Sequence, residues 1–178
     1  MSKKKLSMEE LNRLGVEEFK ATDKHTAVVV LDNVRSLNNV GSAFRTSDAF
    51  LVEKLLLCGI TGCPPHRDIN KTALGAQETV TWEYHDNTLD ALKQLKAEGY
   101  KIIVVEQTTG SVMLNEFNPS KEEKVVFVFG NEAFGVDDEV VSFADMSLEI
   151  PQYGTKHSLN ISVSIGIVLW QYIQSVNG

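Results

Sequence analysis

The chain has 178 residues, 43% of them hydrophobic and 23% charged, a balance that fits one soluble globular domain with a core of its own. A net charge of −7 and a pI near 5.1 argue against a protein that coats nucleic acid by bulk electrostatics, and no apolar run approaches the ~18 residues of a membrane helix. The two cysteines, Cys58 and Cys63, make no disulfide framework, and the opening "MSKKKLSMEE" lacks the apolar stretch of a secretory signal, so a reducing cytoplasm is expected.

Six of the 17 cations, Lys3, Lys4, Lys5, Arg13, Lys20 and Lys24, crowd the first 24 residues. They make either a solvated helix face or a local contact for nucleic acid. Ser7 and Glu10 have capping-box spacing, which predicts a helix over "SMEELNRLGVEEF". "HTAVVVLDNV" is a β-branched run and predicts a buried strand. "NNVGSAFRTSDAF" follows as a helix with Asn38 or Asn39 as its N-cap. "VEKLLLCGI" and "TVTWEYH" read as strands, separated by "TGCPPHRDINKTALGAQE", which mixes turn signals with a short helical piece. "NTLDALKQLKAEGY" is an amphipathic helix that stops at Gly99. "KIIVVEQ" and "KVVFVFG" are strands on either side of an irregular segment. "GVDDEVVSFA" is a short helix and "MSLEI" a short strand. From Ser158 to about Val176 the chain is too long for a strand and reads as a helix.

Strands and helices alternate, and several strands are apolar on both faces. The expectation is therefore an α/β fold with a mostly parallel sheet flanked by helices. Residues 1–25 read as an N-terminal helical extension and residues 26–178 as the rest of a single domain. There is no internal repeat and no linker.

Several chemistries are disfavoured by what is missing. The first strand is not followed by G-x-G-x-x-G, and G-x-x-x-x-G-K-[ST] occurs nowhere, so dinucleotide and P-loop chemistry do not fit. There is no G-x-S-x-G nucleophile elbow. Cys58, Cys63 and His66 supply three potential ligands where a structural zinc site wants four, so no metal is expected.

Three stretches stand at the carboxyl ends of predicted strands, where ligands bind in open α/β sheets. The first, "NNVGSAFRTSDAF", carries Asn39 and Arg45, with Gly41 permitting close approach. Arginine offers a rigid fork of donors suited to phosphate, although a surface salt bridge is the commoner use. The second, "VFGNEAFG", sets Asn131 and Glu132 between Gly130 and Gly135. The third, "IPQYGTKHSLN", leads into a helix through Ser158 and Asn160. A cap needs one of these two, so the second polar group asks for another role. Ser162 and Ser164 continue the alternation inside an apolar run.

Taken together, "NNVGSAFRT", "FGNEAFG" and "IPQYGTKHSLNISVSIGI" resemble the three ordered motifs of the SpoU/TrmH-like family of SPOUT-superfamily RNA methyltransferases. The resemblance covers residues 26 to about 173, and the S-L-N-x-S-V-S core of the third motif is its most specific part. It implies a fold in which the C-terminal part makes a deep trefoil knot, an exception to the usual absence of knots. It implies S-adenosyl-L-methionine as cofactor, a homodimer with the active site at the subunit interface, and methyl transfer to a ribose 2′-hydroxyl of RNA.

By motif position the resemblance makes Arg45, Asn39, Glu132, Ser158 and Asn160 the catalytic set. Gly130, Asn131, Ile150, Ser158 and Leu159 line the methyl donor. Ala133 stands where a second glycine is common, and a methyl group there should matter little. The short basic N-terminus resembles transfer-RNA members more than ribosomal-RNA members, which commonly carry a separate RNA-binding domain. Transfer RNA is thus the expected substrate, with ribosomal RNA the alternative and a non-catalytic RNA-binding role the rival from another class. The apolar C-terminal helix is expected to present Ile161, Ile165 or Trp170 to the second copy. Ser162 and Ser164 are expected to bond to carbonyls one turn earlier or to pack in that interface.

Overall fold

The computed structural model describes residues 3–7 and 9–178. Its centre is a seven-stranded sheet made of β1 (His25–Asp32), β2 (Val52–Cys58), β3 (Trp82–His85), β4 (Lys101–Val105), β5 (Val112–Met113), β6 (Val125–Phe129) and β7 (Met146–Glu149). The order across the sheet is β3-β2-β1-β6-β4-β7-β5, and every pairing is parallel. The expected parallel α/β architecture is the one observed. β5 was not expected, because two residues are too few to show a period; it forms where Val112 pairs with Leu148 of β7.

Seven helices flank the sheet among the described residues: α1 (Val16–Ala21), α2 (Leu37–Ala49), α3 (Arg67–Ala73), α4 (Ala76–Thr79), α5 (Thr88–Ala97), α6 (Asp138–Phe143) and α7 (Ile161–Asn177). Alternate strand residues serve two cores. Val29, Leu31, Phe127 and Phe129 face α1 to α4 and α7. Val28, Val30, Val126 and Val128 face α5 and α6. Burial on both faces is why the strands read as unbroken apolar runs. Phe19 of α1 lies in the first core and α1 packs against α4, whereas the described residues before Phe19 are exposed. No described helix is long and apolar enough to cross a membrane.

Four local expectations need correction. Met8 lies outside the described residues, but Ser7 and Glu10 do make the reciprocal capping pair, at 2.7 and 3.3 Å. The pair opens only a 3-10 turn, Glu9–Leu11, because Asn12 adopts a φ of 45° and breaks the run; Gly15 then caps α1 separately. The cap of α2 is Ser36, whose hydroxyl accepts from the Asn39 amide, and not Asn38 or Asn39. α7 begins at Ile161 with Asn160 as its cap, three residues later than expected.

The fourth correction is the phase of α7. Ile161 and Ile165 are buried against the sheet, while Val163, Ile167 and Trp170 form the outward stripe at helical spacing. Trp170 is thus exposed, as a contact with a second copy requires, and the two isoleucines are not. A β-branched run that is apolar almost all round gives no hint of which face the sheet selects.

Candidate active site

The strand order reverses between β1 and β6, and the loops after these strands are fastened to each other. Asp32 ends β1 with a buried carboxylate, and both of its oxygens accept hydrogen bonds. Oδ1 accepts from the Thr88 hydroxyl at 2.5 Å and from Asn33 Nδ2 at 2.9 Å, and Oδ2 accepts the Asp137 N–H at 3.0 Å. The starts of α5 and α6 are thereby pinned to the end of β1.

The loop after β6 closes on itself through reciprocal bonds of 2.9 Å between Asn131 and Gly135. Asn131 Oδ1 accepts the N–H groups of Ala133 and Phe134, and Nδ2 donates to the Asn33 carbonyl at 2.7 Å. Its side chain is therefore structural. Gly130 is required at the base of the loop, since a Cβ there would overlap the backbone of Gly135 and Val136.

Glu132 reaches back to the start of α2. Oε2 accepts the Arg35 N–H at 2.9 Å; Oε1 accepts the Ser36 N–H at 2.9 Å and Asn39 Nδ2 at 3.0 Å. Burial works against its charge, but the N–H groups of Arg35, Ser36 and Glu132 itself, with the Asn39 amide, outweigh it and hold the carboxyl below its ordinary value. Gly41 allows the expected close approach one turn further on, where a Cβ would overlap Thr72 and the Ile69 carbonyl of α3.

Beside these loops lies a cleft of about 690 Å³. Its walls are residues 105–108 from the end of β4, 129–136 from the end of β6, residues 148–150, 152 and 157–161 from the end of β7, Asp138 and Val141 of α6, and Ser164 of α7. Gly130, Asn131, Glu132, Ile150, Ser158, Leu159 and Asn160, all expected at the site, line it. Among the described residues, the acidic residues Glu106, Glu132, Asp138 and Glu149 line the cleft and no lysine or arginine does.

The third motif divides its labour differently from the expectation. Asn160 is the cap of α7: Oδ1 accepts the Ser162 N–H at 2.9 Å and the Ser162 hydroxyl at 2.6 Å. Ser164 donates to the Asn160 carbonyl at 3.4 Å, the backward bond expected of it, whereas Ser162 bonds to a side chain instead. Ser158 is exposed at the cleft, and among the described residues its hydroxyl has no partner. It is Ser158, not Asn160, that has no structural task.

Two expected residues do not line the cleft. Asn39 is buried and reaches it only through Glu132. Arg45 stands six residues further along α2, about 9 Å down the axis and about a third of a turn round. Because β1 and β2 are parallel, α2 runs away from the strand ends, and Arg45 lies away from the sheet's carboxyl edge where it was expected. It is exposed, with no ion-pair partner among the described residues.

The remaining candidates have other uses. Burial pushes the Cys58 thiol up to about 12, and His66 Nδ1 caps α3 by accepting the Asp68 N–H at 3.1 Å. No cluster of metal-ligating side chains occurs among the described residues. The sequence reading missed Glu106 and Gln107, which line the cleft beyond β4. Their position at the carboxyl end of a parallel strand was the available signal.

Residues 26–170 match the SpoU rRNA Methylase family. The tRNA (guanosine(18)-2′-O)-methyltransferase of Aquifex aeolicus is 34% identical over 145 residues, covering 81% of this chain and 67% of the relative. The 23S rRNA (guanosine-2′-O-)-methyltransferase RlmB of Neisseria meningitidis is 30% identical over 142 residues, covering 80% of this chain and 56% of the relative. Among solved structures, the A. aeolicus TrmH/SpoU tRNA modifying enzyme superposes with a TM-score of 0.79 at 29% identity, over 90% of this chain and 81% of that one. An AdoMet-bound rRNA methyltransferase from Sinorhizobium meliloti also gives a TM-score of 0.79, at 27% identity, over 88% of this chain and 59% of that one.

Proposed function

The chain belongs to the SpoU rRNA methylase family, and on that premise we propose that it binds S-adenosyl-L-methionine in its cleft and methylates a ribose 2′-hydroxyl of RNA. The observation that carries this reading is the convergence of residues 130–132, 150 and 158–160 on one cleft from segments far apart in the chain. The donor set fits the cofactor. The volume falls in the ~300–1,000 Å³ range of small-molecule sites. Asp138 and Glu149 suit a ligand that carries an ammonium and a sulfonium, and Phe129, Ile150 and Leu159 suit its flat adenine. When bound, the cofactor supplies an electrophilic methyl group.

The chain's own residues do the rest. Gly130 and Asn131 keep the loop after β6 tight against the strand end, so its backbone faces the cleft. Glu132 and Asn39 hold the β1–α2 connection beside it. Ser158 offers an unengaged hydroxyl to the substrate. A ribose 2′-hydroxyl is a poor nucleophile, so the developing alkoxide needs stabilisation. A guanidinium carries only N–H donors and has no site to accept a proton. Arg45 therefore acts as a bidentate clamp on the neighbouring phosphate, which favours the alkoxide.

Arg45 stands outside the cleft of its own chain, and a homodimer answers that. α2 packs against α7, and the outward stripe of α7 exposes Val163 (48%), Ile167 (37%) and Trp170 (57%). A contiguous apolar stripe of this kind calls for a partner. A second copy covering it brings Arg45 of one protomer toward the cleft of its partner. The deep trefoil knot belongs to the same reading. It is supported by β7 entering the sheet between β4 and β5, and by Gln107 Nε2 donating to the His157 carbonyl at 3.0 Å beyond the end of β4.

Transfer RNA is the favoured substrate, in line with the A. aeolicus relative's name; ribosomal RNA is the second reading, from the N. meningitidis relative. Both cysteines are free thiols, which fits a cytoplasmic enzyme. The test is to map ribose methylation, by resistance to alkaline hydrolysis, in RNA from cells with and without the gene. One 2′-O-methyl group should vanish from tRNA and return when the purified protein is added with S-adenosyl-L-methionine. An unchanged map in both tRNA and rRNA, with no methyl incorporation in vitro, rejects the reading.

A further inference from the structure

Glu106 and Gln107 lie just past β4 and belong to none of the three motifs. Glu106 Oε1 accepts the Gln107 N–H at 2.9 Å, and Oε2 accepts the N–H of buried Val136 at 3.1 Å. Val136 closes the loop that carries Gly130, Asn131 and Glu132. Gly135, with φ of 73°, brings this backbone so near that a Cβ would overlap Glu106 Oε2. The neighbouring side chain works in the other direction: Gln107 Nε2 donates to the His157 carbonyl at 3.0 Å, one residue before Ser158. Two adjacent residues thus tie together three cleft walls, across 30 and 50 positions of sequence.

The chemistry suits the task. An irregular loop leaves N–H groups that no ladder satisfies, and a carboxylate takes two of them with charge-assisted bonds. The loop's other ties, through Asn131 and Glu132, run to the β1 side. The Glu106 tie runs to β4 and sets the opposite spacing. We infer that Glu106 and Gln107 are positioning residues of the cofactor cleft, which hold the 130–136 loop and the segment before Ser158 at the width the methyl donor occupies. The inference rests on the reading of the cleft as the S-adenosyl-L-methionine site.

The test uses the full chain and two variants. Glu106→Gln keeps the side-chain volume but turns one acceptor into a donor facing an N–H. Amide exchange at Val136, measured without cofactor, should speed up about tenfold. The Kd for S-adenosyl-L-methionine, by calorimetry, should rise about tenfold, ~1.4 kcal/mol. Turnover at saturating cofactor should fall less than about threefold, so that the loss sits in KM, a split that general unfolding does not produce. Gln107→Ala should raise Kd while leaving Val136 exchange unchanged, since its tie runs to His157; it also decides the question if Glu106→Gln folds poorly. Unaltered cofactor affinity in the folded variants overturns the inference. Should the wild-type protein bind no S-adenosyl-L-methionine, the cleft reading fails, and equal Val136 exchange in wild type and Glu106→Gln then overturns the brace as well.

Discussion

Asn39 and Glu132 are 93 positions apart in the chain, yet Asn39 Nδ2 donates to Glu132 Oε1 at 3.0 Å. The first and second motifs meet at this bond. The Arg35 and Ser36 N–H groups complete the set around the carboxylate, so Glu132 acts as the anion at the start of α2. Its role in the site is to hold two loops in register. Asn39 shares that role, whereas the Ser158 hydroxyl at the cleft has no partner among the described residues.

The Glu132 pairing makes stability depend on pH with a definite sign. The folded carboxyl titrates below its ordinary value of 4.5, so the unfolded chain binds the proton more readily. The contribution is complete above about pH 4.5 and disappears as the pH falls through the lower folded value. Glu132→Gln should lower the melting temperature at pH 7 and remove that part of the acid slope. Thermal melts of both proteins from neutral pH downward check this; identical acid slopes would show that Glu132 is not charged and bonded as described.

Ser158 and Asn160 should separate cleanly. Asn160→Ala removes the cap of α7 and is expected to cost about 1 kcal/mol of stability. Ser158→Ala breaks no internal bond, so its stability should stay within about 0.5 kcal/mol of wild type, while methyl transfer falls. Chemical denaturation alongside turnover measurements tests the pair. A Ser158→Ala protein of full activity removes the hydroxyl from the mechanism.

Arg45→Ala should abolish methyl transfer with cofactor affinity nearly unchanged, and Arg45→Lys should fail too, since a point charge does not replace the fork. If the site is shared between subunits, mixing Arg45→Ala with Ser158→Ala protomers restores activity in the mixed dimers that retain one intact site. On the dimer reading, wild type is expected to sediment at twice the ~20 kDa chain mass, and Ile167→Glu, placed in the α7 stripe, should yield a species near 20 kDa. Turnover within about tenfold of wild type, ~1.4 kcal/mol of barrier, in Arg45→Ala would remove its assigned role.

The basic N-terminus is smaller as an RNA surface than its composition suggests. Lys24 is taken up at the end of α1: its ammonium donates to the Phe19 and Thr22 carbonyls and lies 4.2 Å from the Phe19 ring centroid. Lys4 pairs with Glu10 at 3.3 Å. Because Phe19 is a core residue, deleting residues 1–24 would also damage the fold. Replacing Lys3, Lys5 and Arg13 with Gln is the cleaner test. If they contact RNA phosphates, each loss should flatten the slope of log K against log salt by ~0.7–0.9. Parallel salt dependences would assign the RNA surface elsewhere.

Sequence alone determined the class of fold and singled out the stretches after β6 and β7 that line the cleft. Runs such as "AVVVL" and "VVFVF" carry the signature of strands buried on both faces, because both cores demand apolar side chains from the same strand. The three motifs at strand ends were legible for the same local reason: turn and cap residues sit where the period changes. Tertiary structure decided everything that depends on a second segment. Ser36 could be recognised as the cap of α2 only once the chain's path into the helix was known. Ile161 and Ile165 face inward because the sheet selects one side of a helix that is apolar nearly all round. Arg45 lies off the cleft because a crossover helix must run back along the strands it connects. Glu106 and Gln107 gain their roles from partners 30 and 50 residues away. Local sequence encodes periodicity and backbone preference; it does not encode which unpaired N–H group the folded chain will bring within 3 Å of a carboxylate.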